Sequence, residues 1–375
     1  DKYTDTAGND NSVSNTFDWT WDGTGPTMTI TSNTVASGSS TNTGAVVLIY
    51  TSNEATTNFA LADITVTECS NAAWNPSSST VYGSTCTEDS NGVSPTVLVA
   101  VNKFTDATAN NNQASNTYTW TYDTTDPTMA ITSTAGTADG GTSAVEAFAL
   151  TFTSSEATAN FIADDITATS CTLSSLGTTS SAIYTATCTA ADGATANVIV
   201  AADKYTDTAG NDNTVSNQFD WTYDGTGPTM TITSGTIASG GTTATAAVAL
   251  TFTSNEATSN FAQVDITETG CSLGTFAASS STVYTDTCTV SADGAASVLV
   301  AATTFTDAVS NANSASNTYS WTQDDTGPTM TITSSTAATG ATTATAAFAL
   351  TFTSNEATSD FAQADITETG CSLGT

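Results

Sequence analysis

The sequence predicts an all-β protein built from tandem two-sheet sandwiches, and three observations carry that expectation. An aromatic-x-Trp-x-x-Asp-x-x-x-Pro string recurs at Trp19 to Pro26, Trp120 to Pro127, Trp221 to Pro228 and Trp321 to Pro328, placing the prolines 101, 101 and 100 residues apart. That period is too long for a solenoid turn and suits one small domain. Large apolar residues alternate with Thr, Ser and Ala at period two, and no helical period competes. Cysteines recur in pairs 17 apart, Cys69 with Cys86, Cys171 with Cys188 and Cys271 with Cys288.

One unit, Pro228 to Gly327, shows the elements in order. Met230 and Ile232 alternate with threonines as a first strand with one buried face. After a turn at Gly240 and Gly241, Val248, Leu250 and Phe252 alternate with Ala and Thr, a half-buried strand that ends in the polar loop Ser-Asn-Glu-Ala-Thr. Asp265-Ile266-Thr267 begins a third strand expected to run to Cys271. Tyr284 and Cys288 share a face of the next. Val298, Leu299 and Val300 open another, expected to end at Thr306-Asp307, and Tyr319, Trp321 and Gln323 close the unit. Seven short strands at about ten-residue spacing predict tandem immunoglobulin-like β-sandwich domains in an extended array. Val46, Leu48 and Tyr50, then Phe148, Leu150 and Phe152, and Phe348, Leu350 and Phe352 repeat the second strand. Phe17, Trp19 and Trp21 repeat the closing aromatic stripe, for which core packing is expected rather than a glycan platform.

The register sets the expected bounds. Residues 1–25 match the last part of a repeat, 26–126, 127–227 and 228–327 are full repeats, and 328–375 match an opening half. Cys371 then holds the first position of a pair whose partner falls beyond the sequence.

Composition narrows the function. Three lysines, no arginine and no histidine stand against 36 acidic residues, a formal charge of -33. No basic stripe exists to neutralise nucleic-acid phosphates, and an anionic membrane surface would repel the chain. Proton shuttling by histidine and carboxylate clamping by arginine are unavailable, so an enzyme is not expected. Regular cysteine pairs place the protein outside the cell or on its surface, and disulfide formation is favoured because two cysteines without histidine do not complete a zinc site. The pairs are expected to tie the third strand to the fifth. No Asn-x-Ser/Thr acceptor occurs, while Thr and Ser remain open to O-linked sugars.

Phe-Thr-Ser-Asn-Glu-Ala-Thr at 252 to 258, Phe261, Asp265-Ile266-Thr267, Asp293-Gly294 and the Asp-x-Thr-x-Pro linker resemble the bacterial Ig-like repeat family. The resemblance covers every repeat. It implies tandem sandwiches of the kind found in long arrays on secreted and surface-anchored proteins, including adhesins, where such repeats act as stalks, filaments or binding modules.

In an immunoglobulin-type strand order, the incoming linker, the loop after the second strand and the loop before the last strand gather at one end. That end would hold Asp22, Glu54 and Asp106 in the first full repeat, Asp123, Glu156 and Asp207 in the second, and Asp224, Glu256 and Asp307 in the third. Asp324 and Glu356 begin the same set in the last, partial repeat. With amide oxygens from Asn110, Asn211 or Asn311 these carboxylates suit calcium, a hard cation that takes six to eight oxygens. Asp63, Asp165, Asp265 and Asp365 are further candidates at the start of the third strand. The alternative is that the acids cap turns and bind no metal. A repeat-wide lysine crosslink is not expected, since Lys2, Lys103 and Lys204 share a position that Thr304 occupies in the third repeat.

The expected function is a structural extracellular repeat protein, a semi-rigid stalk, fibre or filament stiffened by calcium at its junctions, with copies of itself or neighbouring repeats as partners. The alternative is an adhesin or ligand-binding surface protein whose repeats contact a glycan or protein; Trp74 and the loop Asn71 to Pro76, which set the first full repeat apart, would favour it.

Overall fold

A computed structural model of the chain describes residues 2–134 and 138–374. Asp1 and Thr375, the outer bounds of the two partial repeats, and residues 135–137 lie outside the described residues. The chain forms two compact units, Asp1–Asp224 and Gly225–Thr375. No helix among the described residues is long and apolar enough to cross a membrane.

The second full repeat shows the architecture. One sheet runs in the order Met129–Ser133, Ala147–Ser154, Ile183–Ala190, Cys171–Leu173, with Gly177–Ser180 also paired to Ile183–Ala190. The other runs Gly141–Ser143, Phe219–Tyr223, Thr195–Val200, Ile166–Thr169. Gly141–Ser143 lies parallel to Phe219–Tyr223, and the remaining pairs are antiparallel. Strand Ala147–Ser154 buries Phe148, Leu150, Phe152 and Ser154 and turns Ala147, Ala149 and Thr153 outward, the period-two pattern of a strand with one wet face. Between the sheets, Met129, Ile131, Phe148, Phe152, Phe161, Tyr184, Val198 and Trp221 form one core. Phe148 stacks on Trp221 with ring centroids 4.7 Å apart. The closing aromatics Tyr118 and Trp120, Phe219 and Trp221, and Tyr319 and Trp321 are all buried, as core packing requires.

Three expectations need correction. The third strand does not run through to the cysteine. It ends at Thr67, Thr169 and Thr269, and the next residue, Glu68, Ser170 or Gly270, takes a positive φ of 58°, 57° or 74°. That left-handed residue throws the chain into the opposite sheet, so Cys171–Leu173 pairs with Ile183–Ala190 while Ile166–Thr169 pairs with Thr195–Val200. Each disulfide therefore joins hydrogen-bonded neighbours of one sheet, with Cα atoms 5.7, 5.7 and 5.6 Å apart. Secondly, the strand at Val298 to Val300 begins at Gly294 and stops at Val300, because Thr303 has a φ of 63° and turns the chain. Thirdly, Phe17, Trp19 and Trp21 are 86%, 74% and 79% exposed and lie in no strand.

The abundance of Asn has a backbone explanation. Asn112, Asn213 and Asn313 each accept two backbone N–H bonds and donate two to carbonyls, closing the loop before the last strand. Asn116, Asn217 and Asn317 pair with both the N–H and the C=O of Ile30, Ile131 and Ile232, acting as a one-residue strand against the first strand. Buried backbone groups outside the ladders are satisfied in this way.

Candidate functional site

The acidic end of each repeat is assembled by three segments that a sandwich brings together. In the first full repeat they are the incoming linker with Asp22, the loop following Ala45–Ser52 with Glu54, and the loop before the closing strand with Asp106. Carboxylate oxygens of Asp22, Glu54 and Asp106 lie within 4.8 Å of one another, and those of Asp123, Glu156 and Asp207 do the same in the second repeat. Asp224, Glu256 and Asp307 repeat the residue types at a spacing that agrees to within one residue.

Asp106 and Asp207 are almost fully buried, at 4% and 2% exposed, and their partners show how burial is tolerated. Asp106 Oδ1 accepts from the Thr108 and Asn110 amides at 2.8 and 2.9 Å, and Oδ2 from Asn110 Nδ2 at 2.9 Å. Asp207 Oδ1 accepts from the amides of Ala209, Gly210 and Asn211 at 2.8, 2.7 and 2.9 Å, and Oδ2 from Asn211 Nδ2 at 2.8 Å. Asp307 repeats these bonds with Val309 and Asn311. For Asp106, burial pushes the pKa up, and the bonds from Asn110 and Thr108 overcome it, so the carboxyl sits below its ordinary value.

The glutamates have the opposite balance. Burial, then the charges of Asp22 and Asp106, raise Glu54 above the usual range. Burial, then Asp123 and Asp207, raise Glu156, with a hydrogen bond to Asp123 and the charge of Asp126 adding to the effect. Carboxylates this close repel, and it is burial and neighbouring acids that raise both glutamates.

The asparagines are turned the other way from the calcium expectation. Asn110 and Asn211 point their NH2 groups at the acids and donate to the linker carbonyls of Asp22 and Asp123 at 3.2 and 2.9 Å. They tie the linker to the repeat that follows it. Asp63, Asp165, Asp265 and Asp365 each accept a backbone amide three residues earlier at 2.9 Å, from Ala60, Ile162, Ala262 and Ala362, and so cap the short 3-10 turn before the third strand. Asp324 donates its amide to Thr243 O at 3.0 Å, and Glu356 its amide to Ser354 Oγ at 3.4 Å.

The linker between the first two full repeats is held from its other side as well. Asn91 Oδ1 accepts the Thr124 amide at 2.7 Å and Asn91 Nδ2 donates to Thr125 Oγ1 at 2.9 Å. Asn42 reaches across to the second repeat, its amide bonding Ala209 O at 3.0 Å and its Nδ2 bonding Gly210 O at 2.8 Å. Sequence reasoning passed over Asn42 and Asn91, although the Asx-Gly pair at 91, 192 and 293 was a signal that this turn has a fixed role.

Trp74 offers no sugar-stacking face on its inner side, where it stacks on Tyr82 at 5.5 Å and meets Phe59 edge-on at 5.3 Å. The ring extends the core under a bulged edge strand.

Comparison with known proteins agrees with the architecture. The profile of the bacterial Ig-like domain matches residues 123–223 and 224–322, just over half of the chain. No curated protein matches it in sequence. Among solved structures, the chain is similar to FdeC, a broadly conserved Escherichia coli adhesin, with 16% identity, 79% of this chain and 96% of that chain covered and a TM-score of 0.40. It is also similar to invasin, a bacterial integrin-binding protein, with 13% identity, 83% and 62% covered and a TM-score of 0.34. For InvD of Yersinia pseudotuberculosis the values are 12% identity, 80% and 98% covered and a TM-score of 0.39.

Proposed function

Because the chain belongs to the bacterial Ig-like domain family, we propose that it is a segment of a surface-exposed adhesin whose tandem sandwiches, bounded at 26–126, 127–227 and 228–327, hold a contact surface away from the cell. FdeC is an adhesin and invasin binds integrin; a comparable task, with a glycan or protein of another surface as partner, is part of the proposal. Its support is the junction. The linker Asp123 to Pro127 is bonded to the preceding repeat through Asn91 and to the following one through Asn211, so little freedom remains between the first two beads. A passive fibre would use the same junction, and for that reason the adhesive task needs its own test. Beads coated with the full chain and drawn over glycan- or protein-coated surfaces should be retained; retention no better than bare beads would remove direct contact by these repeats and leave a shaft. No enzymatic step belongs to this reading.

The proposal includes calcium at the acidic ends. Three carboxylates within 4.8 Å supply hard oxygen donors, and burial followed by the neighbouring aspartates raises both glutamates, a strain that a bound cation would relieve. Asp22, Glu54 and Asp106, and Asp123, Glu156 and Asp207, would hold the ion. By analogy of sequence so would Asp224, Glu256 and Asp307. The ion would offset repulsion and fasten the linker's aspartate to the repeat behind it. Calorimetric titration of calcium into the chelator-treated full chain should show saturable binding and a raised Tm, reduced in Glu156→Gln. Absence of heat together with an unchanged Tm would leave the acids as turn caps.

A further inference from the structure

The turn that grips the linker contains the sole Asn-Gly pair of the chain, Asn91-Gly92; the matching positions in the next two repeats are Asp192-Gly193 and Asp293-Gly294. We propose that Asn91 is a deamidation site gated by the junction: closed while the linker is latched, open when the first two full repeats come apart. The reaction needs the Gly92 nitrogen to attack Asn91 Cγ, forming a C–N bond and expelling ammonia. Water then opens the succinimide, leaving aspartate or, through the other carbonyl, isoaspartate.

The latched geometry opposes each requirement. Gly92 N–H donates to Tyr122 O at 2.8 Å, so the nucleophile is engaged in the closed turn. The carboxamide it must attack is held at both ends, by the Thr124 amide on Oδ1 at 2.7 Å and by Thr125 Oγ1 on Nδ2 at 2.9 Å. Asn91 itself is exposed, so water is at hand once the latch opens. Gly92 carries no side chain to shield its nitrogen, and its φ of 78° is a conformation that few other residues would accept. The reaction therefore samples the open fraction of the junction, as hydrogen exchange samples local opening.

The third repeat shows what one product would look like. Asp293 Oδ1 accepts the Asp325 amide at 2.7 Å, and Oδ2 accepts the Thr326 hydroxyl. Conversion of Asn91 to Asp thus preserves a latch, with Thr125 Oγ1 turning from acceptor to donor. The isoaspartate product lengthens the backbone by one methylene at the turn, moves Gly92 N away from Tyr122 O and cannot keep both ends of the latch. One chemical event would then fix the junction or loosen it.

The test is peptide mapping by mass spectrometry of the full chain aged in mildly alkaline buffer, native and in denaturant. Three hydrogen bonds on the reacting groups, about fivefold each, predict that Asn91 deamidates on the order of a hundredfold more slowly in the native chain. Thr125→Val removes one latch bond and keeps the backbone; it should accelerate the native reaction about fivefold and leave the denatured rate unchanged. Equal rates in native and denatured chain, or a native rate untouched by Thr125→Val, would overturn the gating. The denatured rate of the variant shows whether the substitution acts on intrinsic chemistry, and a variant that has lost its fold is recognised by a native rate that reaches its own denatured rate.

Discussion

Pulling the chain by its ends should reveal the disulfides as hidden length. In each full repeat the load enters through the linker and the first strand and leaves through the closing strand, Met129–Ser133 and Phe219–Tyr223 in the second repeat. The crosslink lies off that path, between neighbouring strands of one sheet, with Cys188 opposite Phe148 at the far end of Ala147–Ser154 from the acidic loops. When a repeat unfolds under force, the segment joining its cysteines, which stand 17 positions apart, stays closed. At about 3.5 Å per extended residue that segment measures roughly 60 Å, of which 5.7 Å is already spanned between the Cα atoms. Reduction should therefore lengthen each unfolding step by about 55 Å. It should also lower stability by about 3 kcal/mol per repeat if the cost is loop entropy. Single-molecule extension of the full chain, before and after a thiol reductant, measures both. Steps of equal length in the two states would refute the pairing of cysteines within each repeat, and a lengthening on reduction far beyond one such loop would mean that the cysteines pair between repeats instead.

Three other outcomes follow from particular residues. Glu156 has a folded pKa raised above its ordinary 4.5, so the folded chain binds the proton more tightly than the unfolded one; stability should fall as pH rises from about 4.5 through the raised value, and Glu156→Gln should flatten that part of a pH-dependent denaturation curve. Trp120 Nε1 donates to Glu88 Oε1 at 2.7 Å, whereas Trp221 and Trp321 Nε1 have no hydrogen-bond partner, and Ala190 and Val290 stand at the positions in their repeats that match Glu88; Glu88→Leu should cost about 1–3 kcal/mol in urea unfolding and Glu88→Gln much less. Gly270 has a φ of 74° and a side chain there would start 2.2 Å from Ala295 O, so Gly270→Ala should destabilise the third repeat by about 1–2 kcal/mol in thermal unfolding; an unchanged Tm would mean that this crossing between sheets carries no strain.

Repeat length, strand period and charge were legible in the residues alone. Met230, Ile232, Val248, Leu250 and Phe252 alternate with small polar residues, and a strand with one wet face is the only regular element that turns such alternation into a continuous buried side. The closing aromatics of the three full repeats, from Tyr118 and Trp120 onward, were assignable to the core for the same reason. The spacing of Asp22, Glu54 and Asp106 was enough to bring them together, given a sandwich whose linker and two loops meet at one end.

Tertiary structure decided what alternation and composition do not encode. The crossing at Glu68, Ser170 and Gly270 was hidden because among the full repeats only the third marks it with glycine, and the inward positions shift by one there, from Ile166 and Ala168 to Cys171 and Leu173, in runs too short on either side for the break to register. The parallel strand Gly141–Ser143 is three residues long, below what periodicity can register. A carboxamide presents an oxygen and an NH2 of nearly the same shape, so the sequence could place Asn110 and Asn211 at the acids but not say which group faces them. Only the packed loop, where the acids accept every donor within reach, turned the NH2 inward and made these asparagines fasteners of the linker. Local pattern fixes the elements; which polar atom meets which partner is settled by the approach of chain segments far apart in sequence.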